Sequence, residues 1–235
     1  MGVQVILLGD YSQLDPVLDT WRGAVVQDGA LQRSDLIREL SGGATLTLTT
    51  NHRSDETLFV FYTGLGVGSI PRDLGEALDE ARRMFPKTRR CPDVTLVLSN
   101  TTRMTVNKKH NLAMKPEDAI RITAKRGKRG ENAAQRMWVY VGRRLIGAGG
   151  RVRKGLFVIV TGVNSDALTL DNGVTLSHED AACLRLSHAI TYAACQGLTL
   201  EGRVRLCETA HSAFTLKHLY VGSSRCTGAG LLEVC

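Results

Sequence analysis

The sequence predicts an α/β protein: a parallel-sheet domain with a small β-barrel inserted in it. Three observations carry this reading. Short, nearly continuous apolar runs, the mark of strands buried on both faces, alternate with stretches whose apolar residues recur at i, i+3, i+4, i+7. From Met137 to Leu176 that alternation gives way to short strands separated by glycine-rich turns. The α/β alternation then resumes and runs to Cys235.

Val3–Leu8 is an apolar run that stops abruptly at Gly9-Asp10, so it reads as a buried strand. A short helix is expected around Leu31–Leu40, ended by Gly42-Gly43. Thr45–Thr49 alternates Thr with Leu and reads as a second strand. Leu58, Phe61, Tyr62 and Leu65 form one helical stripe, with Ser54 as the expected N-cap. Leu74, Ala77, Leu78 and Ala81 repeat the spacing. Pro86 and Pro92 bracket a basic loop, Val94–Leu98 is a strand, and Ser99-Asn100 opens a further helix. MWVYV, RRLIG, GLFVIVTGV, ALTL and VTL are the strands of the insert, with Asp171-Asn172-Gly173 as a hairpin signal. Beyond it come a helix through Thr191–Gln196, a strand at Val204–Leu206, a helix over Leu216–Arg225 and a last strand at Leu231–Val234.

The chain has 235 residues, 43% of them hydrophobic, enough for one sizeable core and a smaller one. The net charge of +7 favours a polyanionic partner, nucleic acid being the commonest; a merely basic enzyme is the alternative. Six cysteines occur without a C-x-x-C pair and without a histidine at metal-ligand spacing, so they read as buried or free thiols of a reducing, intracellular compartment. No apolar run reaches the length of a membrane span, and no membrane partner is expected.

Ligands of open α/β sheets bind beyond the carboxyl ends of the strands, where Asp10 falls. Gly9 permits a tight turn there and Gln13 offers an amide; together they can hold a metal-bound water or sense a phosphate, or simply form an Asp–Ser turn. Arg53 precedes a helix N-terminus, which makes either an anion site or a surface ion pair. TYAACQGLTLEG places Thr191, Gln196, Gly197 and Thr199 around a helix end, where Gly197 also suits a plain C-cap. Arg225 follows an apolar helix face, able to reach a phosphate across a cleft or to complement a helix dipole.

In order, GDYSQLDPV, TTNHRS, AITYAACQGLTLEG and LYVGSSRC resemble the later motifs of superfamily-one helicases, above all the RecD and Dda type of 5′-to-3′ DNA helicases and their relatives in large DNA viruses. The resemblance implies a RecA-like, P-loop-NTPase type of sheet and ATP with Mg2+ as ligands. It implies roles for Asp10 near the magnesium, Gln13 and Arg53 at the γ-phosphate, Arg225 as arginine finger, and Thr191, Gln196 and Gly197 in coupling nucleotide to single-stranded DNA. It divides the chain into a remnant of a first motor domain (1–44), a second motor domain (45–136 and 177–235) and the inserted barrel (137–176). Candidate DNA contacts on the insert side are Lys125, Arg126, Lys128 and Arg129 of KRGKR, equally readable as a solvated loop, and Trp138 and Tyr140, of which at least one is expected in the barrel core.

The sequence departs from the family at three places. Ala193-Ala194 stands where many members have His-Lys, and Gly222-Ser223 where Ala-Leu is usual. No G-x-x-x-x-G-K-[ST] loop occurs, and neither Asp-Glu pair follows a buried strand. The expectation is therefore the back portion of a helicase, opening just inside the first motor domain and inactive alone, with a missing N-terminal motor domain as its partner. A stand-alone nucleic-acid-binding module and an RNA-virus-type RNA helicase fragment are the alternatives.

Overall fold

The computed structural model describes residues 6–15, 20–21, 24–25, 30, 33–67, 69–123 and 136–235. Thr20–Trp21 (β1) and Ala24–Val25 (β2) pair antiparallel. Asp35–Leu40 (α1) is a short helix that stops where Gly42 and Gly43 take φ of 61° and 76°. One expected strand is not formed, and the described half of another is irregular. Ile6, Leu7 and Leu8 are irregular and exposed, while Val3–Val5 lie outside the described residues. Thr45–Thr49 is also irregular, with Leu46 86% and Leu48 84% exposed. Both segments have the right pattern, but no described strand runs beside them, and a ladder needs a neighbour to satisfy its N–H and C=O groups.

Glu56–Thr63 (α2) carries the predicted stripe inward: Leu58, Phe61 and Tyr62 are buried, as is Leu65 just beyond. Its cap is Asp55, not Ser54; Asp55 Oδ1 accepts the Leu58 N–H at 2.9 Å, and Ser54 is drawn instead to Asn51. Leu74–Met84 (α3) is capped by Asp73 and buries Ala77, Leu78 and Ala81, with Arg82 and Arg83 complementing the dipole of its last turn. Val94–Val97 (β3) leads into Asn100–Ala113 (α4), capped by Ser99.

The insert comprises Ile120–Ile122 (β4), Met137–Val139 (β5), Arg144–Gly147 (β6), Phe157–Val163 (β7), Ala167–Leu170 (β8), Thr175–Ser177 (β9) and Leu184–Leu186 (β10). β4 and β5 form an antiparallel ribbon; the others form an antiparallel sheet in the order β10-β6-β7-β8-β9. They enclose one apolar core that includes Ile122, Met137, Leu145, Leu168, Leu176 and Leu184. That core reaches beyond the expected limits of 137–176 on both sides, because β4 and β10 supply Ile122, Leu184 and Leu186 to it.

Ala189–Thr191 (β11) returns to pair parallel with β3. Val204–Leu206 (β12) lies on the other side of β3, and beyond Leu216–Ser223 (α5), Leu232–Val234 (β13) completes an all-parallel sheet in the order β11-β3-β12-β13. Its core joins Val94, Leu96, Val204 and Leu206 to Leu58, Phe61 and Leu219. The expected helix over Thr191–Gln196 is absent. Thr191 ends β11, a single 3-10 turn spans Ala193–Cys195, and Gln196 turns out of it at φ −59°, ψ 135°. The Thr191 hydroxyl oxygen takes the Ala194 N–H at 3.2 Å, a local bond that competes with helix formation. No described helix is long and apolar enough to cross a membrane.

Candidate functional site: two converging arginines

Three separate segments meet at the C-terminal end of α5. The Asn51–Ser54 turn before α2 is tied to the residues after α5, since the Asp55 N–H donates to the Thr227 carbonyl at 3.2 Å and Asp55 Oδ2 accepts from the Ala229 N–H at 2.7 Å. This places Arg53 so that its Nη1 donates to the Ser224 carbonyl at 3.1 Å, across 171 positions of sequence. Arg225 follows directly and is 3% exposed; its Nη2 donates to the Ser224 hydroxyl at 2.9 Å. Both guanidinium groups thus converge on one serine. Among the described residues neither has a carboxylate within ion-pairing distance. Burial, and then the nearby charge of Arg53, lower the Arg225 pKa from its ordinary value. A pair of like charges with so little compensation favours an anion with several oxygens.

The third segment is the loop beginning at Gly9. Asp10 closes it by accepting the Ser12 N–H at 2.9 Å and the Gln13 side-chain amide at 3.1 Å. Tyr220 on α5 reaches Asp10 at 3.5 Å, and Lys217 on the same helix pairs with Asp15 at 2.6 Å. Ser12 donates to the Val67 carbonyl. Asp10 is close enough to Arg225 to act on it electrostatically. Asp10, Gln13, Arg53 and Arg225, which are distant in sequence, therefore belong to one neighbourhood, with Gly9 exposed at its edge.

Tyr220, Ser224 and Lys217 were not picked out from the sequence. Tyr220 and Ser224 are one turn apart on α5, and that i, i+4 spacing just before Arg225 was the available signal. Burial and then Asp10 raise the Tyr220 pKa, so its hydroxyl stays a donor.

The remaining candidates do not join this set of side chains, although the Leu200 N–H, next to Thr199, donates to the Arg225 carbonyl at 2.8 Å. Thr191 is buried and bonded within its own turn, the Gln196 amide leans back to the Ala193 carbonyl, Gly197 takes φ of 78°, and Thr199 is exposed. Lys125, Arg126, Lys128 and Arg129 fall outside the described residues. Trp138 and Tyr140 are both half-buried, because strand alternation turns Met137 and Val139 inward; neither supplies the insert core. The Trp138 ring carries the Lys115 ammonium at 4.0 Å and the Arg121 guanidinium at 6.0 Å, an aromatic face ringed by cations.

Neither a protein-family model nor a curated protein matches the sequence. Solved structures do match the fold. The Pif1 helicase from Candida albicans superposes with a TM-score of 0.63 at 16% identity, over 96% of this chain and 62% of that one. The Pif1 helicase from Bacteroides in complex with ADP-AlF3 and ssDNA gives 0.61 at 17% identity, over 96% and 60%. Bacteroides Pif1 bound to ssDNA gives 0.55 at 17% identity, over 80% and 51%. The chain spans less than two thirds of each of these relatives. At such identities the likeness establishes a shared fold, the mixed α/β, RecA-like arrangement expected from the sequence.

Proposed function

We propose that this chain forms the back portion of an ATP-driven DNA helicase, supplying one wall of a nucleotide cleft and part of a track for single-stranded DNA. In this reading residues 1–44 belong to a first motor domain, and the parallel sheet with its helices is the second. The observation that carries it is the convergence of Arg53 and Arg225 on Ser224 beside the Asp10–Gln13 loop. Support comes from the fold shared with Pif1 helicases, one of which is bound to ADP-AlF3 and ssDNA.

The donor set fits a magnesium triphosphate as substrate. Arg53 and Arg225 would neutralise phosphoryl oxygens, Gln13 would aim its amide at the terminal phosphate, and Asp10 would hold Mg2+, which screens charge on the triphosphate. Arg225, already desolvated, is suited to stabilise the charge that builds on a transferring phosphoryl group; such a finger accounts for a factor on the order of 10^3–10^5 in rate. The turn Thr191–Gly197, leaving the sheet beside β3, is the segment through which closure would reach the DNA. With no G-x-x-x-x-G-K-[ST] in the sequence, the phosphate-cradling loop must come from a companion motor domain.

Calorimetric titration of the chain with magnesium ATP tests the cleft. Arg53→Ala and Arg225→Ala should each weaken binding by at least about 10-fold, the loss of one charge-assisted contact, while single-stranded DNA affinity is kept. Equal affinities in wild type and both variants would refute the assignment. The chain alone should show no DNA-stimulated ATP hydrolysis, and turnover that Arg225→Ala abolishes would show that no companion loop is needed. Competition between DNA and RNA oligonucleotides fixes the track's preference. The cation-ringed Trp138 favours one second reading, a stand-alone single-strand binder, for which Trp138→Ala would remove DNA affinity and Arg225→Ala would change nothing.

A further inference from the structure

The fold assembles a cluster that sequence spacing had argued against. Cys91 lies in the loop before β3, His110 in the last turn of α4, and His188 just before β11. One donor atom from each falls within 4.8 Å of the others. They line a cleft of about 270 Å3 that Asp93, Met114 and Arg143 also border. The two imidazoles stack at 3.6 Å between centroids, 8° from parallel.

We propose that Cys91, His110 and His188 form a Zn2+ site with one position open to this cleft. Two unsatisfied polar atoms point to a missing ligand. Among the described residues, His110 Nδ1 and Arg143 Nε are both buried without a hydrogen-bond partner, and a buried polar atom left alone is costly. A cation bound to His110 resolves the first. An anionic fourth ligand on that cation, hydroxide or a phosphate oxygen, gives the Arg143 N–H an acceptor. One thiolate and two neutral imidazoles are a borderline-soft set, which suits Zn2+ and not Mg2+ or Ca2+.

Tetrahedral Zn2+, with Zn–N of about 2.0–2.1 Å and Zn–S of about 2.3 Å, needs its donors roughly 3.3–3.7 Å apart. The three donors, within 4.8 Å of one another, must therefore close by up to about 1.5 Å. Parallel rings aim their lone pairs alongside each other, so one ring must turn about its Cβ–Cγ bond, a soft rotation for histidine. Among the described residues the Cys91 thiol donates to the carbonyl of Pro92, at 3.7 Å, and its exposure leaves it room to swing in. On binding, the S–H proton passes to solvent as the Zn–S bond forms.

Titration of the metal-free 235-residue chain with Co2+ tests this independently of any nucleotide. The expected result is the intense visible d–d absorption of tetrahedral Co2+ with a near-ultraviolet thiolate charge-transfer band, saturating at one ion per chain and displaced by Zn2+. Cys91→Ser, at an exposed position that leaves the fold intact by circular dichroism, should abolish the charge-transfer band. It should weaken Zn2+ binding by more than the roughly 100-fold that loss of an outer-sphere partner can bring. His188→Gln should weaken it comparably, and Cys235→Ser should change neither signal. Weak octahedral Co2+ absorption, or spectra unchanged in Cys91→Ser, would overturn the site.

Discussion

Glu233 is a charged residue at the centre of a strand, wholly shielded from solvent in β13. Arg205 holds one carboxylate oxygen at 2.7 Å, Arg203 approaches the other at 3.3 Å, and Thr88 donates its hydroxyl. Burial alone would raise this carboxyl's pKa, but the hydrogen bonds from Thr88 and Arg205 and the two positive charges outweigh it, and the group sits below its ordinary value. A depressed folded-state pKa stabilises the protein at pH values above the unfolded carboxyl's, near 4.5, and that stability is lost as pH falls through the folded value. Glu233→Gln should therefore cost about 2 kcal/mol at neutral pH and flatten the acid limb of a urea-midpoint-versus-pH curve. The figure is below that for a fully buried pair because both guanidiniums touch solvent. Gly222 shows steric control at the same scale. A Cβ there would come within 2.8 Å of Leu206 Cδ2 and 3.0 Å of Tyr192, both fully packed. Gly222→Ala should cost about 1–3 kcal/mol in chemical denaturation by pushing α5 off β12. That gives the departure from Ala, visible in the sequence, a packing reason.

Elements were legible where their inward face is apolar. α2 and α3 show Leu58, Phe61 and Tyr62, then Ala77, Leu78 and Ala81, at helical spacing, and those residues are buried. α4 is different: its buried residues are Arg103, Asn107 and Asn111, four apart and all polar. Asn107 accepts the Ala189 N–H at 2.8 Å and donates to the Ala189 and Leu186 carbonyls. Asn111 does the same for both backbone groups of Trp138, at 2.8 Å each. These amides stand in for strand neighbours that β5 and β11 lack at those points, a pairing that hydrophobic periodicity cannot register. Asn107→Leu keeps the volume but strands buried donors and acceptors, so it should lower stability by about 3 kcal/mol, seen as an earlier urea midpoint. The Thr45–Thr49 alternation misled for the opposite reason, since a strand pattern forms a strand only where a partner edge exists.

Across the whole molecule, the candidate site was more legible than the cluster beside α4. Asp10, Gln13, Arg53 and Arg225 could be marked because each sits in a short motif of recognisable order, and the fold brings them together around Ser224 and Tyr220. Cys91, His110 and His188 lie in no shared motif and meet only through the path of the chain. The exposed leucines of the irregular segment make a prediction at this scale. Leu46→Lys with Leu48→Lys should leave the unfolding free energy from urea titration within about 0.5 kcal/mol of wild type, as for exposed positions generally. The place where the all-β insert joins the parallel sheet has a consequence of a different kind. Strand β3, helix α4 and strand β11 already make a complete crossover between adjacent strands, so residues 120–186 are a detour taken before the chain resumes its course. Taking out such a detour would keep the order of the host strands, yet it would leave Asn111 without the Trp138 backbone that its amide holds and remove Ile146 from the host core.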